Sequence, residues 1–183
     1  MDRSCYTRGG SLDVTHVPVI ISVAGRPKVG KTTFLVKLIA ELKGRGYRVG
    51  VIKHSIHTFD LAQTGKDTWK HTKAGAQAVA FVSPHQVNLV RQVEQEIGID
   101  EAAAMLGDVD LVLTEGYKRA HKPKIEVSRR ALGTDLVCRR DEIVAVVSDH
   151  PIDLDVPHFD LDDAAGVAAF IERRFLHTLQ TLN

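Results

Sequence analysis

Eight residues near the start of the chain have the types and the spacing of a phosphate-binding loop. They run Gly25-Arg26-Pro27-Lys28-Val29-Gly30-Lys31-Thr32. In this P-loop pattern, backbone N–H groups surround phosphate oxygens, and the two glycines permit the backbone conformations that the turn needs. The lysine ammonium is expected to reach the β and γ phosphates. The residues predicted to contact nucleotide phosphates are Gly25, Arg26, Lys28, Val29, Gly30, Lys31, Thr32 and Thr33.

Two basic residues inside the loop have more than one possible role. Arg26 and Lys28 add positive charge to the cradle, where each either meets a phosphate or stays solvated. The loop as a whole has the context of a P-loop, because a predicted strand precedes it and a predicted helix follows. That context favours a phosphate site over a loop that merely joins a strand to a helix.

The Thr32 hydroxyl and two acidic residues predict a Mg²⁺ site. Mg²⁺ prefers oxygen ligands, and P-loop proteins complete its shell with an acidic group near the end of a neighbouring strand. Glu115 follows a predicted strand, and Asp60 lies in the long loop after the second strand. We therefore predict Thr32, Asp60 and Glu115 as metal ligands, and Lys31 and Glu115 as catalytic residues. The alternative is that Asp60 and Glu115 simply face water.

Two further residues are predicted to contact the nucleotide. Gly116 can offer its backbone N–H to a γ-phosphate. Asp149 follows a predicted strand, and a carboxylate there would accept hydrogen bonds from guanine N1–H and N2–H₂, a pair of donors that adenine lacks. The alternative for Asp149 is an ordinary turn residue before Pro151.

Three histidines, His54, His57 and His71, surround the long loop after the second strand. Neutral imidazole is a common metal ligand, so a second metal site is an alternative here. Histidines scattered in a loop are usually not ligands, and we expect none of the three to bind a metal.

Strands alternate with helices from Val17 onward. Residues 17–24 are a short apolar run rich in β-branched residues, which is typical of a buried parallel strand. Residues 32–43 have apolar side chains at helical spacing, and Gly44 and Gly46 are predicted to end that helix. Further strands are predicted over 48–53, 77–82, 86–93, 110–114, 124–129 and 142–147, and further helices over 67–74, 101–106 and after the predicted caps Asp162 and Asp163. This alternation predicts an α/β fold of the P-loop NTPase type, a mainly parallel sheet flanked by helices in three layers.

Length and composition restrict the function classes. The 183 residues predict a flexible leader over 1–16 and one nucleotide-binding domain over 17–183. The net charge of +1 lacks the strong basic excess of a nucleic-acid-binding domain, so we expect no nucleic-acid partner. No run approaches the ~20 apolar residues of a membrane span, and the start lacks the apolar segment of a signal peptide. We therefore expect a cytoplasmic protein without a membrane partner. Cys5 and Cys138 are expected to be free thiols, with Cys138 in a predicted strand.

Four blocks of sequence resemble the MobB family of GTP-binding proteins of molybdopterin-guanine dinucleotide biosynthesis. The similarity covers about residues 17–148. The third block is the most specific, because general P-loop proteins do not share it. The blocks are the P-loop ending Gly30-Lys31-Thr32-Thr33; Val51-Ile52-Lys53-His54 leading to Phe59-Asp60; Gly65-Lys66-Asp67-Thr68-Trp69-Lys70-His71 through Lys73-Ala74-Gly75-Ala76; and Leu113-Thr114-Glu115-Gly116-Tyr117-Lys118.

The resemblance implies a GTPase fold of the class that also holds metal-insertion GTPases. It implies weak GTP hydrolysis with Mg²⁺, a homodimer, and partnership with the molybdenum cofactor guanylyltransferase. Whether the molybdopterin cofactor itself binds is left open. By position, it implies phosphate contacts from Gly30, Lys31, Thr32 and Thr33 and metal-side roles for Asp60 and Glu115. The chain departs from the family in having Arg26-Pro27-Lys28 where small residues are usual.

Three functions therefore compete. The first is a GTP-binding accessory protein with slow hydrolysis, since no glutamine is clearly placed to orient the attacking water. The second is a small-molecule kinase or a metal- or cofactor-insertion GTPase built on the same cradle. The third is a non-catalytic adaptor that delivers a cofactor while the nucleotide only stabilises its fold.

Overall fold

The computed structural model describes residues 17–55 and 66–176. The predicted leader over 1–16, His57 and the predicted ligand Asp60 lie outside these residues. The described residues form two compact units, the first made of 17–54 and 99–176 and the second of 55 and 66–98. The single domain predicted over 17–183 stays a prediction.

The first unit is built around a six-stranded sheet. In chain order its strands are β1 (Val19–Gly25), β2 (Val49–Lys53), β5 (Leu111–Glu115), β6 (Lys124–Ser128), β7 (Ile143–Ser148) and β8 (His158–Phe159). They lie side by side in the order β2-β5-β1-β6-β7-β8, and every neighbouring pair is parallel. All six carboxyl ends therefore meet at one edge, which is where open α/β sheets bind their ligands.

Helices cover both faces of this sheet. Helices α1 (Lys31–Gly44) and α4 (Ala164–Ile171) pack on one face, where the larger apolar core includes Ile21 and Val23 of β1. Helix α3 (Ile99–Ala104) packs on the other face, against Ile20 and Val112. The predicted three-layer α/β fold is confirmed, because alternate side chains of β1 enter the two separate cores.

The caps and the apolar face of the helices follow the sequence pattern. Helix α1 buries four side chains, which are Phe34, Leu35, Leu38 and Leu42. It ends at Gly44, and Gly46 then has a left-handed φ of 92°. Asp163 is the N-cap of α4, where its Oδ1 accepts a hydrogen bond of 2.8 Å from the Gly166 N–H. Both predicted helix boundaries are confirmed.

The prediction that Cys138 lies in a strand is wrong. Strand β6 ends at Ser128, and Cys138 lies at a bend before β7. Since β1 and β7 already flank β6 in the sheet, no edge is free there for another strand. The Cys138 N–H donates instead to Oε2 of the buried Glu126 at 3.0 Å. Burial is the main cause that raises the pKa of the Cys138 thiol to about 12, and the Glu126 carboxylate adds to the effect. This cysteine is therefore unreactive near neutral pH.

The second unit contains helix α2 (Lys66–Lys73) and a hairpin of β3 (Ala78–Ser83) and β4 (Gln86–Arg91). The hairpin is antiparallel, with Val82 opposite Val87 and Ala80 opposite Leu89. Both predicted strands and the predicted helix of this region are confirmed. Among the residues described, no helix combines the length and the apolar composition that crossing a membrane requires.

Candidate functional site

The predicted phosphate cradle lies at the carboxyl edge of the sheet, between the end of β1 and the start of α1. Gly25 has φ 143°, and Gly30 is the N-cap of α1 with φ 100°, in the left-handed region. A Cβ on Gly25 would lie 2.3 Å from the Val127 carbonyl oxygen of the neighbouring strand. Only glycine fits there, because both the backbone conformation and the space exclude a side chain. The loop opens onto the N-terminus of a 14-residue helix, whose free N–H groups favour anions.

Lys31 extends its side chain back over the loop. Its ammonium Nζ donates to the carbonyl oxygens of Gly25 at 3.2 Å and Arg26 at 2.8 Å. The pKa of Lys31 is lowered, first by burial, while the Glu115 carboxylate raises it and the positive charges of Lys118 and Lys53 lower it. The P-loop lysine is therefore folded against its own cradle, with several positive charges close by.

Thr32 and Glu115 meet although 83 positions separate them in the chain. The Thr32 hydroxyl lies 3.0 Å from Oε1 and 2.9 Å from Oε2 of Glu115. This contact follows from the sheet, since Glu115 ends β5 directly beside Val23 of β1. Lys53 at the end of β2 lies next along the edge, with its Nζ 3.9 Å from Glu115 Oε2.

These donors fit a Mg²⁺ ion. A hydroxyl and a carboxylate are hard oxygen ligands, and Mg²⁺ commonly takes only one or two protein ligands while phosphates and waters fill its other positions. The described residues hold no group of three or more His, Cys, Asp or Glu side chains able to bind a metal. Thr32 and Glu115 are thus suited to a metal that arrives with a polyphosphate.

Gly116 and His54 pack together at the end of β5. Gly116 has φ 107°, and a Cβ there would lie 3.0 Å from the His54 carbonyl oxygen. The His54 N–H donates to the Glu115 carbonyl oxygen at 2.9 Å, and its ring lies 4.4 Å from that of Tyr117. The two sequence blocks around His54 and Gly116 are therefore one structural unit that fixes the position of Glu115.

The two basic residues inside the P-loop differ in their surroundings. Arg26 forms an ion pair of 3.4 Å with Asp135, whereas Lys28 is exposed with a left-handed φ of 63°. The predicted phosphate contacts of Arg26, Lys28 and Thr33 stay predictions.

Asp149 lies at the same edge of the sheet, directly after β7. Its Oδ1 accepts a hydrogen bond of 2.8 Å from the Arg130 N–H. That bond is the main cause of the lowered pKa of Asp149, so the carboxylate stays ionised at neutral pH. Next to it, His150 is buried and its Nε2 lies 2.9 Å from the Ser128 hydroxyl. The guanine contact of Asp149 stays a prediction.

The sequence interpretation missed one residue of the site, Arg129. Its Nε donates to the Val29 carbonyl oxygen of the P-loop at 3.0 Å. Arg129 follows directly after β6, at the carboxyl edge of the sheet. A basic residue at the end of a predicted strand is a signal that could have placed it beside the cradle.

Comparison with known proteins agrees with this architecture. Residues 20–149 match the MobB family, molybdopterin guanine dinucleotide synthesis protein B. An Escherichia coli protein named molybdopterin-guanine dinucleotide biosynthesis adapter protein is 36% identical over 164 residues, which cover 86% of this chain and 93% of that protein. A Haemophilus influenzae protein of the same name is 32% identical over 160 residues, 86% of this chain and 90% of that protein.

Solved structures show the same relationship. A crystal structure of molybdopterin-guanine biosynthesis protein B has a TM-score of 0.65 and 31% identity, covering 85% of this chain and 99% of that one. The structure of Bacillus subtilis MobB has a TM-score of 0.68 at 20% identity, covering 85% of this chain and 97% of that one, and supports the fold alone. With its P-loop, its parallel sheet and these similarities, the chain belongs to the MobB family.

Proposed function

We propose that this protein is a GTP-binding adapter of molybdenum cofactor biosynthesis that assists the guanylyltransferase and hydrolyses GTP slowly with Mg²⁺. The observation that carries the proposal is the meeting of Lys31, Thr32 and Glu115 around one glycine-rich loop. The names of the related proteins favour an adapter in molybdopterin-guanine dinucleotide biosynthesis over a small-molecule kinase.

The groups of the cradle are those that a polyphosphate would engage. The ammonium of Lys31 would exchange the Gly25 and Arg26 carbonyl oxygens for β- and γ-phosphate oxygens. The loop amides and the α1 N-terminus would supply the remaining donors. A bound Mg²⁺ would neutralise charge on the phosphates. Thr32 and Glu115 are the residues that would hold it.

Slow hydrolysis is expected because the described part of the first unit offers no usual water-orienting side chain. P-loop GTPases commonly place the attacking water with a glutamine. The described residues of the first unit, 17–54 and 99–176, contain no glutamine. The cradle would thus bind GTP well but add little catalysis of its own, which suits a protein whose bound nucleotide serves as a signal for a partner.

A homodimer is part of the proposal, with the hairpin of the second unit as its contact surface. Directly paired residues share a face of a sheet, so Ala80, Val82, Val87 and Leu89 lie together. Val82, Val87 and Leu89 are 69%, 64% and 65% exposed. A two-stranded sheet is marginally stable in water and needs a further covering layer. The same hairpin of a second copy would supply a matching apolar face.

The proposed function is tested by cofactor guanylylation with the purified guanylyltransferase. Wild-type protein should increase the yield of guanylylated cofactor when GTP is present, and Lys31→Ala should remove that increase. Arg173→Ala, which changes a basic residue far along the chain in the last described helical turn, is the control and should act as wild type. If Lys31→Ala supports the reaction fully, nucleotide binding is incidental and the adapter works by contact alone.

A further inference from the structure

Arg129 lies beside the P-loop because of the order of the strands. Strand β6 is the direct parallel neighbour of β1, with Val127 opposite Gly25. Arg129 lies two residues beyond Val127, at the level where β1 ends and the P-loop begins. The Arg129 Nε donates to the Val29 carbonyl oxygen at 3.0 Å. An arginine thus contacts the backbone of the cradle across 100 positions of sequence.

The contact determines the orientation of one peptide group. The Val29 C=O and the Gly30 N–H belong to the same planar trans peptide, so they point in opposite directions. Holding the carbonyl oxygen towards Arg129 leaves the Gly30 N–H on the opposite side. In a P-loop the backbone N–H groups of the loop, such as that of Gly30, face the phosphates. We propose that Arg129 is a positioning residue of the phosphate cradle, which holds the Val29 carbonyl outward and so directs the Gly30 N–H at a bound polyphosphate.

Gly30 itself lies within the reach of the same guanidinium. A Cβ on Gly30 would be 3.6 Å from one terminal nitrogen of Arg129 and 3.7 Å from its Nε. The guanidinium therefore packs against this glycine, whose φ of 100° lies in a region that glycine enters more freely than other residues. Arg129 thus restricts this glycine at the point where α1 begins.

We assign a positioning role because the contact that the structure shows runs from the Arg129 Nε to a carbonyl oxygen of the loop. The inference rests on the proposed nucleotide site. It adds a residue from outside the P-loop motif, and it assigns that residue a definite action on one backbone donor.

Two substitutions separate the hydrogen bond from the charge. Arg129→Gln places an amide nitrogen at the same bond distance from Cα as the arginine Nε, so it keeps the donor and loses the charge. Arg129→Met has a side chain of about the same length as glutamine, and it loses both the donor and the charge. Arg130→Met removes the neighbouring charge but keeps the backbone N–H that binds Asp149, and it is the matched control.

The first measurement is titration calorimetry with Mg²⁺–tripolyphosphate and with Mg²⁺–GTP. Losing one charge-assisted hydrogen bond should weaken both ligands about tenfold in Arg129→Met. Arg129→Gln should stay within about threefold of wild type, and Arg130→Met should equal wild type. Equal weakening by Gln and Met would overturn the inference in favour of a plain charge effect. If Arg129→Met bound GTP more weakly but tripolyphosphate as well as wild type, the inference would be overturned in favour of a contact with the nucleoside.

A second measurement does not depend on ligand binding. The ¹⁵N heteronuclear NOE of the Gly30 amide reports its order in the free protein. It should be high in wild type and Arg129→Gln, and low in Arg129→Met. If wild type binds neither ligand, the proposed function fails, and this NOE alone then decides the role of Arg129. Equal NOE values in Gln and Met variants would overturn the inference.

Discussion

The protein supplies partners for Lys31, Thr32 and Glu115 that a nucleotide would replace. The Lys31 ammonium binds two loop carbonyls, and the Thr32 hydroxyl binds both oxygens of Glu115. Polar groups left without partners in a partly buried site are costly, so these contacts stabilise the cradle. They also keep the three side chains within reach of an incoming Mg²⁺–nucleotide.

The charge of Lys31 gives a pH prediction. Burial, the largest cause, lowers the pKa of Lys31 below its usual 10.5, and only the ammonium form attracts phosphate. The Lys31 contribution to affinity is therefore complete well below the lowered pKa and is lost as the pH rises through it. The dissociation constant of Mg²⁺–GDP, measured by calorimetry from pH 7 to pH 10, should rise more steeply in wild type than in Lys31→Ala. Parallel curves for the two proteins would contradict the assigned role.

Glu115 gives a prediction about metal dependence. Glu115→Gln keeps the size of the side chain and its hydrogen bond to Thr32, but removes the negative charge that attracts Mg²⁺. The Mg²⁺ concentration needed for half-maximal GTP binding should increase about tenfold, in line with the loss of a charged partner. Binding without Mg²⁺ should not weaken. Glu101→Gln, an exposed residue of α3, is the control, and an equal Mg²⁺ response in all three proteins would count against a metal role for Glu115.

At the scale of the elements, β1 and its neighbours determine the shape of the cradle. The strand ends β5, β1 and β6 place Glu115, the P-loop and Arg129 side by side. Within β6, the buried Glu126 accepts hydrogen bonds from the N–H groups of Val137 at 2.6 Å and Cys138 at 3.0 Å, which lie in the connection to β7. A carboxylate that satisfies two backbone donors holds the connection to β7 close to the sheet.

Gly25 gives the prediction at this scale. Gly25→Ala would combine an unfavourable positive φ with a Cβ 2.3 Å from the Val127 carbonyl oxygen. Gly46→Ala has a positive φ as well, but no atom within 4 Å of the new Cβ. Urea denaturation should show a loss of about 1 kcal/mol for Gly46→Ala and about 3 kcal/mol or more for Gly25→Ala. Similar losses would mean that the approach of β6 does not restrict the loop.

The sequence predicts the local features of this site far better than it predicts which strands lie side by side. The P-loop spacing, the Asp163 cap and the end of α1 at Gly44 depend on neighbours a few positions away, and all three predictions agree with the structure. Arg129 depends on β6 lying beside β1, which no short pattern encodes. The prediction for Cys138 is wrong for the same reason, because whether a segment can join β6 depends on β1 and β7, which already occupy both of its edges.

At the scale of the whole molecule, two compact units carry different features. The first holds the cradle, and the second holds the hairpin with its exposed apolar face. Exposed apolar patches of this kind commonly mark interaction sites. The sequence predicts the hairpin strands but not which of their side chains lack a covering layer, since that depends on packing partners remote in the chain.

The proposed homodimer gives a prediction about this face. Leu89→Lys introduces a charge among Ala80, Val82 and Val87, and should shift the protein from dimer to monomer in sedimentation velocity at micromolar concentration. Asn88→Lys adds the same charge on the opposite face of β4, and should leave the sedimentation coefficient unchanged. A monomeric wild-type protein, or a dimer that tolerates Leu89→Lys, would contradict the hairpin contact.

The most direct test of the central claim is titration calorimetry of wild type and Lys31→Ala with GTP and ATP, each with and without Mg²⁺. Wild type should bind Mg²⁺–GTP with the highest affinity, at least about tenfold tighter than Mg²⁺–ATP, because two guanine donors would bind the Asp149 carboxylate. Lys31→Ala should lose most of that affinity. Equal binding of GTP by wild type and Lys31→Ala would contradict the claim that this loop is the nucleotide site.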